Sequence, residues 1–177
     1  MEILKNIDQQ ILLSIHEYTK NSLFDTIMPF ITHIGESGII WLIISFMLLF
    51  TKKYRYVGFL TLFSIGIYAV IGEFALKNII QRPRPFLDIN TISLLIDPPT
   101  SYSFPSGHTA ASFAALGVLA SQLKNYRIII IALAILIAFS RLYLLVHYPF
   151  DVFAGIIFGL LCAKVTLTIF EERVPVL

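Results

Sequence analysis

Ser103-Phe104-Pro105-Ser106-Gly107-His108-Thr109 and Ser140-Arg141-Leu142-Tyr143-Leu144-Leu145-Val146-His147-Tyr148-Pro149-Phe150-Asp151 frame two apolar stretches that are joined by the turn Lys124-Asn125-Tyr126-Arg127. Two histidines, an arginine and an aspartate stand at the edges of segments that hold almost no other ionisable group. Charge beside hydrocarbon is costly, so such residues are read first as functional. Just upstream lies a third cluster, Lys77-Asn78-Ile79-Ile80-Gln81-Arg82-Pro83-Arg84-Pro85.

Around these clusters the composition is 57% hydrophobic and 14% charged over 177 residues, with mean hydropathy +0.82. That is far outside the soluble range and marks an integral membrane protein of one domain. A net charge of +2, with no concentrated basic run, gives no footprint for nucleic acid. The single cysteine, Cys162, allows no intrachain disulfide and reads as inert packing or lipid-facing surface. Asp8 and Glu17 interrupt the N-terminal apolar positions, so this segment does not read as a cleavable signal peptide.

Residues 1–35 form an amphipathic arm. Ile3, Leu4, Ile7, Ile11, Leu12 and Ile15 recur at helical spacing, with Lys5, Asp8, Gln9 and Glu17 between them. Such a helix lies at the membrane interface rather than crossing it. Leu23 to Ile34 is a short apolar continuation, and a further span starting there is the alternative. Residues 36–177 form the membrane-embedded unit. Its spans are expected at Ile39–Phe50 (with Trp41 as an interface anchor), Val57–Leu76, Pro105–Leu123, Ile128–Val146 and Pro149–Phe170. Phe86 to Phe104 reads as a loop or short helices, and Glu171-Glu172-Arg173 opens a polar tail. The fold expected is therefore all-α, a bundle of five or six transmembrane helices.

Lys52, Lys53 and Arg55, and then Lys124 and Arg127, fall at one end of alternating spans. The positive-inside rule places that end in the cytoplasm and all three clusters on the outer side of the cell membrane. Lys77, Arg82 and Arg84 break the rule there, as expected of groups that hold an anion.

The residue types in the clusters suit phosphate chemistry. Glu73, four residues before Lys77, can aim the lysine, while Arg84 offers a two-pronged grip on an oxyanion. Pro83 and Pro85 keep Arg84 out of helix. Ser106 suits a helix N-cap, and Gly107 lets backbone N–H groups approach a ligand at a helix N-terminus. Pro149 suits the first turn of the last helix, from which Asp151 can reach back to His147. A carboxylate on one ring nitrogen leaves the other free as nucleophile or base. Read singly, the basic cluster is more readily a flank for lipid headgroups than a catalytic group, and the His–Asp pair is equally a helix cap. No cysteine or histidine spacing suits zinc, and the carboxylates are too scattered for magnesium, so no metal or cofactor is expected.

Taken in order, Lys77 with Arg84-Pro85, then Pro105-Ser106-Gly107-His108, then Ser140-Arg141 with His147 and Asp151, resemble the three-part signature of the type 2 phosphatidic acid phosphatase superfamily, in its small bacterial membrane branch. The resemblance runs over roughly residues 36 to 170. It implies that His147 attacks phosphorus to give a phosphohistidine, that Asp151 orients it, and that His108 protonates the leaving oxygen. Lys77, Arg84 and Arg141, assisted by Ser106 and the Gly107 N–H, would hold the phosphate. Arg82 lies outside that pattern and reads as an auxiliary or headgroup contact. The implied substrate is a lipid phosphate or diphosphate drawn from the membrane. Undecaprenyl diphosphate is favoured; phosphatidylglycerol phosphate, phosphatidic acid, a lipid phosphotransferase and a non-catalytic lipid-binding or transport protein are the alternatives. His16 and His33 read as surface residues without a catalytic part.

Overall fold

The structure, a computed structural model, describes residues 2–89 and 93–170, with side chains from Lys5 onward. The polar tail and part of the Phe86–Phe104 loop lie outside the described residues. Within them every regular element is helical. Two helices, α1 (Glu2–Thr19) and α2 (Ser22–Ile34), precede the 3₁₀ turn Glu36–Gly38 and α3 (Ile39–Leu49). Next comes α4 (Arg55–Tyr68), which continues as a π-helix over Ala69–Leu76 and ends in the short α5 (Lys77–Ile80). After α6 (Pro85–Asp88) come α7 (Gly107–Gln122), α8 (Arg127–Tyr143) and α9 (Pro149–Ile169).

Three helical segments are long and apolar enough to cross a membrane: Arg55–Asp88, Lys124–Tyr143 and Pro149–Ile169. The pair Ser22–Ile34 and Glu36–Leu49 makes a fourth crossing if taken as one span broken by a 44° bend. The bend falls where Ser37 and Gly38 adopt left-handed backbone at φ 49° and 72°. The short span expected at Ile39–Phe50 corresponds to α3, which follows α2 across this bend. With 16 residues, α7 extends only about 24 Å and is the sheathed centre of the bundle rather than a lipid-facing rod.

Small residues set that centre. Ala110, Ala111, Ala114 and Ala115 bury one side of α7, and Gly155, Gly159 and Ala163 recur every four residues on α9. Spacing of this kind lets two membrane helices approach to backbone contact. A Cβ placed on Gly159 would stand 2.4 Å from the Ala110 carbonyl oxygen. Trp41 is fully buried and donates from Nε1 to Ser112 Oγ at 2.8 Å. It anchors α3 to α7 and is not the interface residue its position suggests. Cys162 is buried in the same core.

The N-terminal helix packs on α8 and α9. Leu12 and Asp8 turn fully inward, whereas Ile7 and Ile11 stay exposed. Asp8, expected on the polar side, is thus a buried group. By chain direction α3 and α7 start, and α4 and α8 finish, at one end of the bundle. The basic turns around Thr51–Tyr54 and Lys124–Tyr126 lie at the other.

Candidate active site

At the end away from the basic turns a cavity of about 600 Å³ opens. Lys77, Arg84, Gly107, His108, Arg141 and His147 all line it. They come from five separate pieces of chain, and each is aimed by its local structure.

The π-helix sets Lys77. Its Nζ donates to Glu73 Oε1 at 2.6 Å, and Glu73 Oε2 accepts from the Tyr68 hydroxyl at 2.7 Å. A widened turn of this kind is uncommon and recurs at functional sites. Arg84, between two prolines, is extended at φ −84° and ψ 154° and caps α6. Its fork ties down the facing loop: Nε donates to Ser101 O at 2.6 Å and Nη2 to Ser101 Oγ at 3.0 Å. Nη1 donates to Val146 O at 2.8 Å and stands 3.2 Å from His147 Nε2.

That last contact decides a tautomer. A guanidinium only donates, so Nε2 must present its lone pair and the His147 proton resides on Nδ1. His147 lies in the loop between α8 and α9, after Leu145 turns the chain through left-handed backbone at φ 57°. Burial first, and then the charges of Arg84, Arg141 and Lys77, hold its imidazole well below the usual histidine value. It is a neutral imidazole on the cavity wall, its Nε2 lone pair facing the Arg84 guanidinium.

Asp151 sits in the first turn of α9, behind His147 and 0% exposed. Its Oδ2 accepts from Ser103 Oγ at 2.5 Å and from the Tyr148 N–H at 2.9 Å. His147 Nδ1 is 3.7 Å from Oδ2 and 3.5 Å from Ser103 Oγ. The expected direct His–Asp contact is therefore open, with the Ser103 hydroxyl set against both partners. Arg141, on the last turn of α8, is 2% exposed and donates from Nη1 to Thr32 Oγ1 on α2. Its Nε is one of two buried side-chain polar atoms without a partner among the described residues. Buried donors are nearly always paired, and the residue that carries this one lines the cavity.

Residues 53–175 match the PAP2 superfamily. The chain belongs to it. An undecaprenyl-diphosphatase from Sulfolobus acidocaldarius is 34% identical over 84% of this chain and 71% of its own length. Phosphatidylglycerophosphatase B of Bacillus subtilis is 32% identical over 76% of this chain and 70% of that protein. Among solved structures, a PAP2-type phosphatidylglycerolphosphate phosphatase from Bacillus subtilis superposes with TM-score 0.78 at 26% identity, covering 98% of this chain and 89% of the other. Aquifex aeolicus LpxE matches with TM-score 0.78 at 27% identity, covering 90% and 93%.

In this PAP2 protein six of the eight residues singled out in sequence line one cavity, and Asp151 stands directly behind it. Ser106 does not line it. It caps α7 by position, but it is fully buried, its hydroxyl is 2.9 Å from Thr109 Oγ1 and its N–H donates to Asp151 O. Arg82 corrects the reading as a headgroup contact: it turns away from the cavity, to Asp151 Oδ1 at 2.6 Å and Asp8 Oδ2 at 2.5 Å. His33 is on the cavity rim, 3.5 Å from Glu36, and His16 approaches Tyr143 O at 3.2 Å. Thr32, Tyr68, Ser101 and Ser103 support the site and had carried no sequence signal beyond Ser103 preceding the Pro-Ser-Gly-His string.

Proposed function

We propose that this PAP2 protein is a metal-independent phosphatase of membrane lipids that works through a phosphohistidine, with undecaprenyl diphosphate as its substrate. One observation carries the reaction class. Lys77 on α5, Arg141 on α8 and the extended Arg84 between them in sequence converge on the cavity that His147 also lines, where the Nε2 lone pair faces Arg84. Three cations neutralise the charge spread over phosphoryl oxygens in flight, which is most of what phosphoryl transfer asks of a protein.

In the first step His147 Nε2 attacks phosphorus, and the bond from phosphorus to the leaving oxygen breaks. His108, from the first turn of α7 on the same cavity, enters this step protonated and hands that oxygen its proton. Water then attacks the phosphohistidine with His108 taking its proton, the P–N bond breaks, and inorganic phosphate leaves. Asp151, with Ser103 between, balances the charge that forms on the His147 ring. Gly107 lines the cavity at the N-terminus of α7, where a side chain would meet Glu73 at 2.9 Å and the Tyr68 hydroxyl at 3.0 Å. Its N–H stands where helix N-termini bind anions.

The choice of lipid rests on two relatives that are undecaprenyl-diphosphatases, from Sulfolobus acidocaldarius and, at 27% identity over 80% of this chain and 72% of its own length, Bacillus subtilis. The location at the outer face of the cell membrane rests on the basic turns at the opposite end. The test is phosphate release by detergent-purified protein, with chelator present, from undecaprenyl diphosphate, phosphatidylglycerol phosphate, phosphatidic acid and a soluble phosphate ester. Preference for the first, together with an inactive but folded His147→Ala variant, is expected. Equal rates on all four would overturn the substrate, and substantial activity in His147→Ala would overturn the nucleophile.

A further inference from the structure

Arg82 is spent entirely on two carboxylates. Its Nη1 donates to Asp151 Oδ1 at 2.6 Å and its Nη2 to Asp8 Oδ2 at 2.5 Å, and the guanidinium stacks 4.2 Å from the Tyr148 ring centroid. Asp8 and Asp151 are both 0% exposed. The other Asp8 oxygen accepts the Phe150 N–H at 3.0 Å, one of the N–H groups that a helix cannot satisfy internally at its start. The first helix of the chain is thereby fastened to the first turn of the last one, at the residue behind His147.

We infer that Arg82 and Asp8 are positioning residues for the reaction, joining the N-terminal helix to Asp151 through an Asp8–Arg82–Asp151 bridge. The inference rests on the reading of His147 as nucleophile. Its reasoning is geometric. A carboxylate rotates about its last bond between two nearly equivalent settings. Arg82 occupies Oδ1, so only Oδ2 is left to face Ser103 and His147. Arg82 itself could swing toward solvent, and Asp8 holds its far end in a fixed plane. Without the bridge Asp151 no longer fixes the Nδ1–H side of His147, and the nucleophilic nitrogen loses its aim at phosphorus. Lys77, Arg84 and Arg141 make no hydrogen bond or ion pair with Asp8, Arg82 or Asp151 and keep their own partners, Glu73, Ser101 and Thr32. The bridge therefore governs turnover and not substrate binding.

Three variants of the full-length protein test this on detergent-dispersed undecaprenyl diphosphate and phosphatidic acid: Asp8→Asn, Arg82→Gln and the double change. Asp8→Asn preserves volume and the acceptor for Phe150 while removing the charge. Each single variant is expected to lower kcat by about 10- to 100-fold, the loss typical of supporting contacts displaced by an ångström or less. KM should stay within about twofold, and the double variant should match Arg82→Gln alone, since Asp8 acts through it. Should Arg82→Gln fail to fold with two buried carboxylates unpaired, Asp8→Asn and Arg82→Lys carry the test. Lysine keeps the charge but cannot span both carboxylates, so its kcat should also fall. An unchanged kcat in folded variants, a loss confined to KM, or multiplying losses in the double variant would overturn the bridge. His147→Ala is assayed alongside. If it is inactive while the bridge variants are normal, only the bridge is wrong; if it is active, the nucleophile reading fails instead.

Discussion

Replacing Gly159 by alanine should loosen the joint between the two helices that carry His108 and Asp151. The new methyl would stand 2.4 Å from the Ala110 carbonyl oxygen, 2.8 Å from the Ala114 nitrogen and 2.9 Å from Phe113 Cβ. Ordinary contact begins near 3.4 Å, so α7 and α9 must part by about 1 Å. Two of the three obstacles are backbone and cannot turn aside. Overpacking of this severity costs about 3 kcal/mol, and the better helix propensity of alanine returns about 1, leaving a net loss of about 2 kcal/mol. A shift of that size between reacting groups also lowers kcat by up to about 100-fold. Gly66, with no obstructing atom within 4 Å, is the control, and Gly66→Ala should be neutral or stabilising by about 0.5–1 kcal/mol. Unfolding by sodium dodecyl sulfate in mixed micelles, alongside phosphate release, reads both effects. Wild-type stability and kcat in Gly159→Ala would refute the close-packed joint.

Three further outcomes are expected. Activity in excess chelator should equal activity without it; a loss restored by magnesium or zinc would require a metal-dependent mechanism. Thr32→Val removes the acceptor that holds Arg141, and a hydrogen bond to a charged group of about 1.5–3 kcal/mol sets a fall in kcat/KM of at least about tenfold; an unchanged value would show that α2 does not aim the arginine. Because the His147 imidazole is held below the ordinary histidine value, the unfolded chain takes up a proton near pH 6.5 that the native chain refuses. Stability from this source is complete above about 6.5 and declines with acidification toward the lower native value. His147→Gln should flatten that slope, and an equal slope, or a His147 ring titrating at or above about 6.5 by NMR, would refute the neutral base.

Much of the site was legible because its residues are expensive where they stand. Lys77, Arg84, His108, Arg141, His147 and Asp151 interrupt apolar runs, and local rules place them: a proline on each side of Arg84, a glycine beginning α7, a proline beginning α9. The helical class followed from hydropathy alone. What stayed hidden depends on pairing across long separations. Nothing in the order of residues joins Asp8 to Arg82, 74 positions on, or Thr32 to Arg141, 109 positions on. Both look like incidental polar residues until the helices meet. The turn at Gly35-Glu36-Ser37-Gly38 was legible, but not its geometry: left-handed backbone at Ser37 and Gly38 sets a 44° bend between α2 and α3. The Gly155, Gly159 and Ala163 spacing was visible and would have paired α9 with a small-residue helix such as α7.

The contacts of Asp8 and Thr32 also impose a timetable on the protein's birth. Both side chains belong to the helices synthesised first, and their partners on α8 and α9 are among the last described residues to be made. At about 5–20 residues per second, the 109 residues between Thr32 and Arg141 take roughly 5–20 s to be made. Throughout that interval a nascent chain holds Asp8 without the Phe150 N–H that its second oxygen will accept, and from its own synthesis onward Arg82 waits for its second carboxylate. The proposed phosphate clamp is incomplete until Arg141 arrives, and His147, the proposed nucleophile, follows six residues later. A truncated or half-inserted product is therefore inert toward the membrane lipids surrounding it, and competence appears only with the meeting of the chain's earliest and latest helices.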